Sequence, residues 1–179
     1  MKYYCTKSVF KNSWEEVATA FWHRYPNPFS RHVLSEDTLM RSVVGSVLYS
    51  KRLLLKTNRM PKWGERFCNI RHVPVLEESS VDNRLKTLVT YSRNISYTRM
   101  MCVEEKCVYR PDPNDANQTV LKREACISSH LRGFAVVVQR FAVERFKHNA
   151  ANANRGINHV LSKMFPSRVY GRKSFGQTS

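Results

Sequence analysis

The residues best suited to chemistry are polar side chains that continue an apolar stripe in the C-terminal part of the chain. In order, the stripe at helical spacing is Phe134, Val138, Phe141, Arg145, His148 or Asn149, and Asn152. Burying an unpaired guanidinium costs several kcal/mol, so a buried Arg145 requires a nearby anion or water. A second apolar line about 100° round the helix permits an alternative, in which the stripe drifts and Arg145 lies in solvent. The pattern leaves both alternatives open.

Three further basic residues have the same ambiguity. In the segment KRLLLK, a strand places Arg52, Leu54 and Lys56 on one face, with the two cations about 13 Å apart. The alternative turns the other leucines to the core and leaves both cations in solvent. Arg24 lies at the edge of an apolar helical stripe, where a basic side chain usually snorkels to water.

Motifs of common enzyme classes are missing from the sequence. It contains no nucleophile elbow, phosphate-binding loop, dinucleotide fingerprint or zinc-protease motif. The acidic pairs, such as Glu77-Glu78, are sequence neighbours that diverge on a strand. The five cysteines include no C-x-x-C pair, so we interpret them as free thiols. We therefore expect no catalytic residues, no metal and no cofactor.

The charge of the chain indicates its partners. The 179 residues carry a formal net charge of +16, and residues 131–179 hold nine basic side chains and one acidic one. Such an excess favours phosphate, nucleic acid or an anionic membrane as the partner. No apolar run approaches the roughly 18 residues of a membrane span, and we expect no signal peptide.

Periodicity predicts an α+β fold. Ser13 and Glu16 form a capping box that begins a short helix, and Pro26 ends it. A long helix is predicted from Gly133 to Met164. Period-two segments with short connections predict a seven-stranded antiparallel sheet, with strands at Tyr3–Phe10, His32–Arg41, Val47–Lys56, Arg71–Val81, Leu85–Asn94, Met100–Arg110 and Thr119–Ser128.

The chain closely resembles the PRELI family of mitochondrial lipid-transfer proteins. The resemblance covers about residues 2 to 165. We expect one lipid-transfer domain at residues 1–165, followed by a basic, mobile tail at 166–179. The matching segments are RYPNP from Arg24 with HVL from His32, RLL from Arg52 with KTNRMPKW from Lys56, VEE from Val103 with Tyr109, and RFK from Arg145 with Asn149.

The resemblance implies a START-like fold, in which a curved sheet wraps the long helix around a lipid cavity closed by an Ω-loop lid. It implies a non-enzymatic carrier of phosphatidic acid between the outer and inner mitochondrial membranes, which supports cardiolipin synthesis. The implied partners are phosphatidic acid, an anionic mitochondrial membrane and a small disulfide-bonded helical-hairpin protein of the intermembrane space. No nucleic-acid partner is expected.

Matching positions in the family give the expected site. The lipid head group is expected to contact Arg24, His32, Arg52, Lys56, Arg59, Arg145 and Asn152. The membrane-contacting lid is expected at Met60, Pro61, Lys62 and Trp63. One position departs from the family, which often has a lysine where this chain has Asn152; an amide donates to phosphate but supplies no charge.

Competing functions remain open. A phosphatidylserine carrier of the same family would keep the fold and change the head group. A basic nucleic-acid-binding module would show salt-sensitive binding to RNA or DNA. An enzyme with a START-like cavity would need a catalytic pair that the sequence lacks, and a lipid sensor would bind without transferring.

Overall fold

The strands and helices match the predicted fold class. The computed structural model describes residues 1–57, 71–131 and 133–166. Within them the elements, in chain order, are β1 (Lys2–Phe10), α1 (Trp14–Trp22), β2 (Val33–Val44), β3 (Val47–Thr57), β4 (His72–Asp82), β5 (Thr87–Asn94), β6 (Cys102–Asp112), β7 (Asp115–Ser128) and α2 (Ala135–Met164). The predicted seven-stranded antiparallel sheet and long C-terminal helix are confirmed. The predicted basic tail lies outside the described residues from 167 onward.

The strands form one curved sheet in the order β1-β7-β6-β5-β4-β3-β2. Strands β2 to β7 follow one another as a meander, and β1 returns to pair with β7, with Lys2 opposite Ile127. Because neighbouring strands alternate in direction, the C-terminal ends of β3, β5 and β7 lie along the same side of the sheet. We call this row of strand ends the cavity edge; the term does not refer to the outermost strands. The hairpins that join β2 to β3, β4 to β5 and β6 to β7 lie at the opposite edge.

One connection is shorter than predicted. The sequence predicts a loop at residues 111–115 before a strand at Thr119, but β7 begins at Asp115, which pairs directly with Asp112. The Asp112 side chain accepts a hydrogen bond from the backbone N–H of Asn114 at 2.8 Å. Such an aspartate-capped turn needs only two central residues, and the strands therefore extend to it.

Helix α1 forms the core with α2 and the sheet. Its predicted capping box is confirmed, since Ser13 and Glu16 each accept a hydrogen bond from the other's backbone N–H. The buried side chains of Trp14, Val17 and Phe21 pack in one cluster with residues of both other layers, including Tyr109, Leu121, Ile157 and Leu161. Each large apolar side chain buried here contributes about 1.5–3 kcal/mol. In the described parts of the chain, no helix has both the length and the apolar content needed to cross a bilayer.

The linker between α1 and β2 lies against α2 at a glycine. Asn27 donates from its side-chain amide to the Arg24 carbonyl and accepts from the Phe29 N–H at 2.9 Å. The preceding Tyr25–Pro26 peptide is cis. A Cβ added at Gly156 would stand 2.7 Å from the Asn27 Nδ2 atom. Helix α2 therefore needs a glycine at this position for the linker to approach.

We predict that Gly156→Ala destabilises the protein, although alanine favours a helix over glycine by about 1 kcal/mol. The Asn27 amide is hydrogen-bonded at both ends and cannot move aside, and overpacking costs about 1–3 kcal/mol. Urea denaturation should show a lower free energy of unfolding. Asn158→Ala is the control, because Asn158 is exposed on the same helix. A Gly156→Ala protein more stable than wild type would contradict the close approach.

Candidate functional site: a basic cavity

A cavity of about 200 Å³ lies between the sheet and α2. Apolar side chains from both layers line it, among them Val75, Val103, Phe146 and Ile157. Among the described residues, five basic side chains line it, Arg24, Lys56, Arg93, Arg123 and Arg145, against two acidic ones, Glu77 and Glu105. A cavity with apolar walls and convergent charged groups is typical of a ligand site.

A buried carboxylate organises the inner part of the cavity wall. Strand register places Glu77 of β4 opposite Arg52 of β3, and the two side chains form an ion pair. Glu77 also accepts from Arg24 at 2.6 Å. Arg52 additionally pairs with Glu36 of β2 at 3.1 Å. The cluster thus joins three neighbouring strands to the end of α1.

The arginines keep Glu77 ionised. Burial alone would raise the pKa of the Glu77 carboxyl, but the adjacent charges of Arg24 and Arg52 lower its pKa below the ordinary value. The Arg24 guanidinium lies 3.9 Å from the centre of the Phe21 ring and donates to the Phe21 carbonyl. Arg24 is therefore a buried, paired residue on the cavity wall and not a snorkelling one.

Arg52 lies behind this wall. It is 2 % exposed and is not among the residues that line the cavity. Strand β3 turns Arg52 and Leu54 inward, which decides the alternative left open by the sequence. Arg52 acts on the cavity indirectly, because it pairs with Glu77, which lines the cavity and also pairs with Arg24. Direct contact between Arg52 and a ligand stays a prediction.

Three predicted residues meet near the cavity edge. The His32 carbonyl accepts from the Thr57 N–H at 2.8 Å, and the Arg145 Nη2 atom donates to the Thr57 carbonyl at 3.0 Å. Lys56 precedes Thr57 and lines the cavity with His32 and Arg145. Within the described residues, Lys56 has no ion-pair partner. The long helix thus brings Arg145 to the end of β3, and Arg145 lines the cavity instead of pointing to bulk solvent.

His32 is neutral at pH 7. Burial lowers the pKa of its imidazole, and the positive charges of Lys56 and Arg145 lower it further, to about 4. A neutral imidazole offers one donor and one acceptor. At pH 7 it would become a further cation only if a negative charge were placed beside it.

Among the predicted site residues that the structure describes, Asn152 has its hydrogen-bond partner away from the cavity lining. Asn152 is hydrogen-bonded to the His148 Nε2 atom at 3.0 Å and is not among the lining residues, whereas Asn149 and Ala153 are. Arg59 and the predicted lid, Met60, Pro61, Lys62 and Trp63, lie outside the described residues.

Sequence reasoning missed a second buried ion pair. Arg123 of β7 pairs with Glu105 of β6 on the cavity wall, and its other terminal nitrogen donates to Asn154 of α2 at 3.2 Å. Asn154 in turn donates to Ser8 of β1 at 3.0 Å. The alternation of β7 contained the signal, because Arg123 falls on the same face as the buried Leu121. Glu77 was missed because an adjacent acidic pair, taken by itself, does not show which member is buried.

We predict that Glu77→Gln lowers the free energy of unfolding by about 3 kcal/mol, because it leaves two buried guanidinium groups without their shared counter-charge. The matched control is Glu78→Gln on the other face of the same strand. Glu78 forms an exposed pair with Lys51, and its loss should cost less than about 1 kcal/mol. Equal losses of stability in urea denaturation would contradict a structural role of Glu77.

We predict that the His32 imidazole titrates near pH 4, far below its ordinary pKa of 6.5. Because the folded state disfavours the proton, His32 contributes stability above pH 6.5 that is lost as the pH falls toward the folded pKa. An NMR titration of the His32 ring protons measures this directly. A pKa at or above 6.5 in the free protein would show that its surroundings are not cationic.

The sequence comparisons with known proteins agree on one family. The PRELI-like family profile matches residues 15–167. "PRELI domain-containing protein 1, mitochondrial" from Gallus gallus is 47% identical over 91% of this chain and 78% of its own length. "Protein UPS1, mitochondrial" from Saccharomyces cerevisiae is 32% identical over 89% of this chain and 93% of its own length.

Solved structures support the fold. The protein TTHA0849 from Thermus thermophilus superposes with a TM-score of 0.64 at 12% identity, over 92% of this chain and 99% of its own. The Zhui aromatase/cyclase from Streptomyces superposes with a TM-score of 0.60 at 9% identity, over 91% and 95%. At this identity the likeness concerns the fold alone, and it confirms the predicted START-like arrangement. Together with the sequence matches, these findings show that the chain belongs to the PRELI-like family.

Proposed function

We propose that this protein carries phosphatidic acid between membranes without chemically changing it. The observation that supports the proposal is the charge of the cavity, where five basic side chains line the walls against two acidic ones. Cations near apolar walls are costly unless an anion compensates them. An anionic head group attached to apolar chains satisfies both parts of this lining.

The apolar lining suits a lipid carrier, because acyl chains must be shielded from water while they move between membranes. Each acyl CH₂ moved into water costs about 0.8 kcal/mol, so a two-chain lipid does not cross the aqueous phase unprotected. Side chains such as Val103, Phe146 and Ile157 give the cavity the apolar wall that acyl chains need. We propose that Met60, Pro61, Lys62 and Trp63 act as the lid over it.

The basic residues divide the work of holding a phosphomonoester. In this proposal Lys56 and Arg145 contact the phosphate near the cavity edge, where Lys56 has a charge to offer. His32 donates from its neutral ring and gains a proton as the dianion approaches. Arg24 lies deeper and donates from a guanidinium that Glu77 already orients. Phosphate oxygens accept such charge-assisted hydrogen bonds well.

The cellular setting is also part of the proposal. Several relatives have "mitochondrial" in their names, and we place this protein in the mitochondrial intermembrane space. There it would transfer phosphatidic acid from the outer to the inner membrane for cardiolipin synthesis. We propose a small disulfide-bonded helical-hairpin protein as its partner in a heterodimer.

We predict that Lys56→Glu reduces transfer of fluorescent phosphatidic acid between vesicles at least about tenfold, because it places a carboxylate where the phosphate must bind. The control is Lys7→Glu, which makes the same charge change on exposed β1 opposite Lys122. Circular dichroism should show both variants folded. Unchanged transfer by a folded Lys56→Glu protein would reject this head-group position.

The same assay separates the alternatives. Transfer of phosphatidylserine in place of phosphatidic acid would keep the carrier function and change its substrate. Transfer of neither lipid by the folded wild-type protein would reject the carrier function. Salt-sensitive RNA or DNA binding in that sample would then favour the nucleic-acid module.

A further inference from the structure

The connection between β5 and β6, residues 95–101, is a tightly bonded loop at the cavity edge. Its organiser is Asn94, whose side-chain amide donates to the carbonyls of Ser96 and Met101 at 2.8 and 2.9 Å. The side-chain carbonyl oxygen of Asn94 accepts from the Val103 N–H at 2.8 Å. One buried amide thus fixes both ends of the loop.

This loop presents apolar side chains to solvent. Tyr97 has a φ of 59°, a left-handed conformation that is uncommon for an aromatic residue. Its carbonyl accepts from the N–H groups of Met100 and Met101, both at 3.0 Å. Tyr97 is 50% exposed and Ile95 51%. A loop with this many internal bonds holds its hydrophobic side chains outward in the absence of any partner.

The start of α2 adds a second exposed apolar segment. Val136 is 74% exposed and Val137 52%. No side chain caps this end of the helix, and its first turn contains no acidic residue. The two segments are joined, because the His130 N–H donates to the Arg99 carbonyl at 2.9 Å.

The formally charged residues in and around both segments are all basic. Residues 93–103 and 129–143 contain neither aspartate nor glutamate, while Arg99 and Arg140 are exposed. Val136 and Arg140 lie one turn apart on the same face of α2. Exposed apolar side chains next to arginines match an anionic bilayer interface, where the apolar groups enter and the cations meet head groups.

We propose that residues 95–101 and the first turn of α2 form one surface that contacts an anionic membrane. The loop also lines the cavity through Ser96, Tyr97, Met100 and Met101, so membrane contact and cavity share one wall. The inference rests on the proposed function, which it deepens by naming where the carrier meets its membrane. It is separate from the lid expected at Met60 to Trp63.

The test is Val136→Asp in the full 179-residue chain, measured by co-sedimentation with vesicles of phosphatidylcholine with and without phosphatidic acid. The substitution is expected to preserve the fold, because the site is exposed and an acid in the first helical turn is favourable. Binding to the anionic vesicles should fall about tenfold, through a lost apolar contact and an added repulsion. Ile95→Asp, in the loop, is a second variant with the same expected loss.

The matched control is Val43→Asp. Val43 is 69% exposed on β2 beside the β2–β3 hairpin, at the opposite edge of the sheet, and this variant should bind as wild type does. Equal losses for Val43→Asp and Val136→Asp would overturn the surface, since the effect would then be one of net charge. Wild-type binding by both Val136→Asp and Ile95→Asp would overturn it too, and would be the result if a protein partner covered these residues.

Binding and transfer separate this inference from the proposed function. A wild-type protein that binds anionic vesicles through these residues but transfers no phosphatidic acid would support the surface and reject the carrier. A protein that transfers normally with both segments substituted would support the carrier and reject the surface.

Discussion

The ion pairs of Glu77 are the interaction on which the rest of the site depends. This one buried carboxylate binds Arg24 and Arg52, and so ties the end of α1 to strands β3 and β4. Removing charges from water is costly, and two guanidinium groups repel each other unless an anion stands between them. Because Glu77 stays ionised, the Arg24 side chain can lie inside the wall of the cavity with a fixed orientation.

Depth determines how the charges of the cavity are compensated. The two buried arginines that line the cavity, Arg24 and Arg123, have protein carboxylates as partners. Lys56 lies near the cavity edge, where it is only partly buried and water can solvate it. A ligand that entered the cavity would displace this water from Lys56. Lys56 is therefore the basic residue that would most need an anionic partner from the ligand. Burial, together with the neighbouring positive charges, lowers the pKa of His32 and keeps it neutral. A negatively charged ligand would favour its protonation.

The sequence predicted the elements and part of the site, and long-range register decided the rest. Local patterns sufficed for the capping box at Ser13 and for the period-two strands. They left the inward face of Arg52 and the position of Arg145 as open alternatives, because these depend on which layer packs against them. Glu77 could not be identified, since its role arises from pairing β4 with β3. No spacing within one segment encodes that pairing.

The antiparallel topology places the site and the proposed membrane surface at one edge. Since neighbouring strands alternate, the end of β3, the β5–β6 loop and the segment before α2 must all lie at the cavity edge. The β4–β5 and β6–β7 hairpins at the opposite edge hold as many acidic as basic residues, with Asp82, Asp112 and Asp115 near Arg84, Lys86 and Arg110. The charged residues of the β5–β6 loop and of the segment before α2 are all basic. This difference in charge between the two edges would turn the molecule in the field of an anionic surface. The edge facing the surface would then be the one where Lys56 and His32 lie, so the connectivity of the fold would set the direction from which a lipid enters.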